Sequence, residues 1–96
     1  MFLRVVRFTD VDPGRLDATL ARIKGSDGPP PDVPITGMQM LHDRDNGTAV
    51  VLQHFSSEAD MRAGDAAMNA MDAGETPGTR VSVDMCELKL DMTAPA

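Results

Sequence analysis

Tryptophan and tyrosine are absent from this 96-residue chain, and phenylalanine occurs only three times. A core usually filled by flat rings must here be filled by other side chains. Cysteine is almost missing too: with Cys86 as the single thiol, no internal disulfide can form, which excludes a stapled secreted scaffold. No stretch approaches the roughly 20 consecutive apolar residues of a spanning helix. The sequence from Met1 to Arg7 is interrupted by arginine, unlike the unbroken apolar stretch of a signal peptide, so the cytoplasm is the expected location. Basic charge is also scarce. Nine Lys and Arg stand against 15 Asp and Glu, a net charge of −6. Such a surface repels phosphate backbones, so no nucleic acid is expected as a partner. Arg4, Arg7, Arg15, Arg22 and Lys24 are scattered and form no polybasic run, so no membrane partner is expected either.

What the chain has in quantity is methionine, eight residues of it. Methionine is a flexible filler of cores and a soft lining for apolar pockets, and both readings stand at this point. The hydrophobic fraction of 42% and charged fraction of 25% are those of an ordinary globular protein. This length allows one domain with one modest core. The expected division is a single domain over residues 1–91 and a loose tail over 92–96.

The order of elements follows from local chemistry. Residues 2–9 are rich in β-branched and aromatic side chains and predict a strand. Asp12 is a good helix cap and Pro13 fits a first helical position. Leu16, Leu20 and Ile23 then recur at i, i+4 and i+7, one stripe of a helix that Gly25 is placed to end. Residues 25–34 hold four prolines and two glycines, which predicts a loop tolerant of trimming. Ile35–Arg44 and Thr48–Phe55 are strand candidates around Asn46-Gly47, a hairpin signal because both turn residues of the two-residue type take positive φ. Ser57 caps a second helix whose stripe is Met61, Ala67 or Met68, and Met71. The stretch from Ala73 to Gly78 closes it, and Thr79–Leu90 is the last strand.

The order β-α-β-β-α-β is that of a ferredoxin-like split βαβ fold. Two helices then cover one face of a four-stranded antiparallel sheet. The strands, however, are apolar on both faces: Phe2, Val6 and Phe8 alternate with Leu3 and Val5, and Val50 and Leu52 with Val51 and Phe55. An uncovered apolar face predicts a second copy stacked against it, so the expected partner is the chain itself, as a homodimer.

The run from Gly37 to Glu58 resembles the middle of dimeric α+β barrel proteins of the antibiotic-biosynthesis monooxygenase type. The matching residues are Asp43-Arg44, Gly47, Phe55, Ser56 and Glu58, with Val81-Ser82-Val83 and Glu87 similar to the last strand. The resemblance implies a pairing α+β barrel and, among the family's activities, cofactor-free oxygenation of phenolic compounds. It departs from the pattern in having Phe55 where tryptophan is common and no histidine or tryptophan on the second helix, so haem cleavage is not expected. Asn69 matches the asparagine that the oxygenases use.

Four polar residues stand out as candidate ligand contacts. His54 shares its strand face with Val50 and Leu52; it is either a satisfied histidine of a core or cleft, or a base or hydrogen-bond donor to a phenolic ligand. With a two-residue turn, Gln39 sits opposite His54. Arg4, on the face of Phe2, Val6 and Phe8, is expected to approach His54 across antiparallel strands or to form an interface salt bridge. Asn69 is carried by the resemblance. His42 and His54 are the only histidines and lack a paired cysteine, so no metal site is expected, and no cofactor. Cys86 reads as a small hydrophobe. Two functions remain open: a dimeric barrel that binds a small apolar or aromatic molecule, with or without oxidising it in the absence of a cofactor, or a non-catalytic dimeric interaction or sequestering domain.

Overall fold

The computed structural model describes residues 1–25, 33–70 and 76–94. Its elements are β1 (Phe2–Thr9), α1 (Pro13–Lys24), β2 (Gly37–Asp43), β3 (Thr48–Phe55), α2 (Glu58–Asn69) and β4 (Thr79–Glu87). The strands form one antiparallel sheet in the order β2-β3-β1-β4, the ferredoxin-like arrangement. The loop expected over 25–34 and the helix closure over 73–78 fall largely outside the described residues, as does Met71.

Both helices start where capping chemistry dictates. The Asp12 carboxylate accepts from the Gly14 N–H, and the Ser57 hydroxyl accepts from the Asp60 N–H. Asp60 does not reach back to close a capping box; its carboxylate accepts from the Ser56 hydroxyl at 3.2 Å. α1 ends at Gly25 in right-handed conformation, φ −83°, its N–H bonded to Ala21 O, so no left-handed cap is used.

Sheet parity divides the strand residues. Phe2, Arg4, Val6 and Phe8 of β1 pair with Phe55, Gln53, Val51 and Ala49 of β3 on the helix-covered side. There, Val6, Phe8, Val11, Leu16, Ala49 and Val51 make one apolar cluster under α1. Val33, Phe55 and Met61 make a second, with Phe2, Ala67, Met68 and Met85 packed against it under α2. Burying side chains of this size stabilises the fold by about 1.5–3 kcal/mol each. Phe55 fits because Gly64 of α2 lies over its ring: a Cβ at Gly64 would stand 2.5 Å from Phe55 Cε1.

The other face carries Leu3, Val5, Val50, Leu52 and Leu41, and among the described residues no helix covers it. β3 alternates buried and half-buried residues along its whole length, the signature of a sheet packed on one side. In β4 the alternation is broken by a register shift opposite Arg7 and Phe8. Val83 and Met85 pack inward, whereas Val81 is left exposed. The strand stops at Glu87, three residues short of Leu90.

The hairpin differs from its expected form. Asp43 pairs with Thr48, so four residues make the turn, and among the described residues of that turn only Gly47 has positive φ, at 64°. The Asp43 carboxylate accepts from the backbone N–H of Asn46 at 3.2 Å and from its side-chain Nδ2 at 2.7 Å. These bonds hold Asn46 in ordinary backbone geometry and leave Gly47 alone to take the left-handed position.

Candidate functional site

The four candidate residues separate into two pairs, one on each face of the sheet. Arg4 stands opposite Gln53, and its neighbour Leu3 stands opposite His54. The strands are antiparallel as expected, yet the approach of Arg4 to His54 is overturned, because the register sets them on opposite sides.

On the helix-covered side one row crosses the sheet: Met38, Gln53, Arg4 and Met85. This row lies between the two apolar clusters, and Asp65, Met68 and Asn69 of α2 roof it. Arg4 is 3% exposed. Its Nε donates to Asp65 Oδ1 at 2.7 Å, one terminal nitrogen to Gln53 Oε1 at 2.9 Å and Met68 Sδ at 3.3 Å, the other to Asn69 Oδ1 at 3.3 Å. Gln53 Nε2 donates to Met68 Sδ at 3.0 Å. Asn69 Oδ1 also accepts from Arg80 at 3.2 Å. Two guanidinium groups thus share one amide oxygen, with Asp65 as the carboxylate of the cluster. Among the described residues no buried side-chain nitrogen or oxygen is left without a partner.

On the bare face Gln39 Oε1 lies 3.0 Å from His54 Nε2, and Met1 Sδ lies 3.5 Å from His54 Nδ1. Gln39 is diagonal to His54, not opposite it, since Gly37 holds that place. The four-residue turn shifted the register by two, which preserves the shared face.

Gln53, Asp65 and Arg80 complete the covered cluster and were not singled out from the sequence, while Met68 was expected only as a residue of the apolar stripe of α2. A signal for Gln53 exists: it is the polar member of the alternating set Val51, Gln53, Phe55. Asp65 and Asn69 are spaced i, i+4, one face of a helix.

Among the described residues no group of three or more His, Cys, Asp or Glu could hold a metal. His42 is on the covered side but opposite Ala49, four residues along β3 from Gln53, or roughly 13 Å away. A separate open cleft of about 190 Å³ is lined by Arg15, Ala18, Thr19, Arg22 and Thr76. No helix among the described residues is long and apolar enough to cross a membrane.

No family model matches the sequence, and no curated protein matches it. Solved structures do. A mutant of MhuD with two manganese protoporphyrin IX molecules bound per active site superposes with a TM-score of 0.63 at 17% identity, covering 98% of this chain and 100% of the other. The protein Rv0793 from Mycobacterium tuberculosis gives 0.50 at 16% identity, covering 97% and 98%.

The chain has the ferredoxin-like α+β fold that these structures share.

At this identity the likeness concerns the fold. The porphyrin of the MhuD structure finds no matching donor set here: α2 carries no histidine, tyrosine is absent from the chain, and Cys86 pairs with Leu3 on the bare side. The two histidines stand away from Arg4, His54 on the bare face and His42 opposite Ala49.

Proposed function

We propose that two copies pair through their bare sheet faces and that each copy binds a small aromatic or apolar molecule carrying an acidic group, between α2 and the sheet. The observation that carries this reading is the row of Arg4 and Gln53 between Met38 and Met85, roofed by Met68 and Asn69. A few convergent polar groups in soft apolar walls is the usual form of a small-molecule site. Arg4 and Arg80 against Asp65 leave the cluster one positive charge in excess, within a chain of net charge −6. A ligand carboxylate or phenolate in the place of the Asn69 oxygen would meet two guanidinium groups. The bare face supports the dimer, since Leu3, Val5, Leu41, Val50 and Leu52 form an apolar centre with Gln39, His54, Arg7 and Asp84 around it.

Oxidation of the bound molecule without a cofactor rests on the resemblance. The imidazole that would act as base stands on the opposite face from Arg4, so binding is the extent of the reading at this site.

Titration with 1-anilinonaphthalene-8-sulfonate, an anionic aromatic probe, tests it. Arg80→Ala should weaken binding at least fivefold with the melting temperature retained, and His54→Ala should leave affinity unchanged. The reverse pattern moves the ligand to the bare face and overturns the assignment. Absence of saturable binding to the wild-type protein favours the non-catalytic interaction or sequestering reading instead.

A further inference from the structure

The guanidinium of Arg4 is served unevenly by α2. Its Nε meets a carboxylate, that of Asp65, at 2.7 Å. Its two terminal nitrogens meet neutral acceptors: Nη1 the Met68 thioether and Nη2 the Asn69 amide oxygen, each at 3.3 Å. A thioether sulfur accepts hydrogen bonds only weakly. Yet Gln53 Nε2 is aimed at the same sulfur at 3.0 Å, its amide held in that sense by Oε1 accepting from Arg4 Nη1. Two side chains only 3% and 6% exposed, Arg4 and Gln53, thus direct N–H groups at one poor acceptor. The neighbouring position is also met twice, since Asn69 Oδ1 accepts from both Arg4 and Arg80.

Two consecutive residues of α2 therefore place two uncharged acceptors against the two prongs of a guanidinium fork, and each acceptor is met by a second donor. A carboxylate answers that pattern with its two oxygens, in charge-assisted bonds roughly twice as strong as neutral ones.

We infer that the last turn of α2 stands in for a ligand carboxylate: Met68 and Asn69 close the site in the free protein, and the carboxylate of an apolar monocarboxylic acid displaces them. One oxygen takes the place of the Met68 sulfur between Arg4 and Gln53, the other that of the Asn69 oxygen between Arg4 and Arg80. The inference rests on the ligand-binding reading proposed above and narrows its acidic group. A phenol has one oxygen for two places and, with a pKa of about 10, is uncharged at neutral pH. Arg4 and Arg80 against Asp65 leave one positive charge, which a monoanion cancels and a phosphate dianion oversteps. The way in follows from burial: Asn69 and Arg80 are exposed, Met68 is half-buried, and Arg4 and Gln53 lie beneath. Met68 packs with Phe2 and Met85 on the cluster of Phe55 and Met61, so its flexible side chain vacates an apolar wall for the body of the ligand. With no basic residue in the last turn of α2, its C-terminal carbonyls draw that turn onto the arginines when no ligand is present.

Two probes of one shape, naphthoate and naphthol, are titrated calorimetrically into the wild-type chain and its Arg80→Ala, Met68→Leu and Asn69→Ala variants. Naphthoate is expected to bind at least tenfold more tightly than naphthol, and Arg80→Ala to reduce that preference to less than threefold. Met68→Leu conserves volume and removes a competing acceptor, and Asn69→Ala removes the other on the exposed side. Each should tighten naphthoate binding at least threefold, even where the melting temperature falls. Equal affinity for the two probes overturns the carboxylate and leaves the site standing, as does failure of both with a protein that binds the anilinonaphthalene dye. Naphthoate binding unchanged or weakened in Met68→Leu and Asn69→Ala overturns the stand-in. Failure of the dye as well overturns the site itself.

Discussion

Arg4 of β1 and Asp65 of α2 form an ion pair at 2.7 Å whose two members differ in access to water: the arginine side chain is 3% exposed and the aspartate 27%. Removing either leaves the other with a different remedy. Asp65→Ala strands a buried cation held only by neutral acceptors, and breaking a buried pair in this way costs about 3 kcal/mol or more. Arg4→Met lets Asp65 turn toward solvent and leaves mainly Gln53 short of a partner, about 1–3 kcal/mol. Urea denaturation of the two variants should therefore rank Asp65→Ala as the more damaging. The opposite ranking would mean that Asp65 does little to neutralise Arg4.

Gly64 offers a test in which two familiar rules oppose each other. Alanine in a helix interior is better than glycine by about 1 kcal/mol. Here the added methyl would collide with the fully buried Phe55 ring, and overpacking costs about 1–3 kcal/mol. Gly64→Ala is expected to lower the melting temperature, and Phe55→Leu added to it should cost less than Phe55→Leu alone costs in the wild type. Simple additivity in the double-mutant cycle would show that the two positions do not touch.

The turn carboxylate of Asp43 is held below its ordinary value of 3.8, first by the side-chain amide of Asn46 and then by the Asn46 backbone N–H. A depressed folded value means that this group stabilises the fold above the unfolded value and ceases to do so as pH falls through the folded one. Asn46→Ala removes the first cause. NMR titration should find the Asp43 carboxyl moved upward in the variant, and the stability gap between wild type and variant should shrink on acidification below the ordinary carboxylate range. A gap that widens there would reverse the assignment.

Leu41 tests the dimer proposal without disturbing the core, since it sits on the bare face and is 54% exposed in a single copy. Leu41→Lys should raise the dissociation constant at least tenfold in sedimentation and leave the far-ultraviolet circular dichroism as it was. An unaltered dimer would place the interface elsewhere.

Much of the architecture is legible in the residues because local signals agree with one another. Phe2–Thr9 and Thr48–Phe55 are strands to the residue, and Pro13 and Ser57 mark their helix starts. The hairpin turn was less legible: the Asp43 side chain competes for Asn46 and lengthens the turn by two residues, which alternation alone does not reveal. That change preserved the shared face of Gln39 and His54 while removing their direct opposition. Arg4 could be assigned to a face from its own strand, but its nearness to His54 depended on pairing register between distant strands. One residue of offset put Leu3 there in its place. Asp65 lay beyond reach because the rotation of a helix over a sheet is fixed by packing, here by Phe55 seated against Gly64.

The first strand of the chain is an interior strand of the sheet, and both its neighbours arrive late: Phe2 meets Phe55 on one side and Glu87 on the other. A chain emerging from the ribosome thus carries its Arg4 strand unpaired until Phe55 has been made and paired on one side only until Glu87 follows. Closing such distant contacts first costs loop entropy that only later packing returns, so mixed topologies of this kind refold more slowly than helical bundles of equal stability. The interval also exposes Phe2, Val6 and Phe8 together on one extended segment, a ready site for a holdase or for aggregation. Synthesis rate and chaperone supply, rather than the stability of the finished fold, would then govern how much of this protein a cell accumulates.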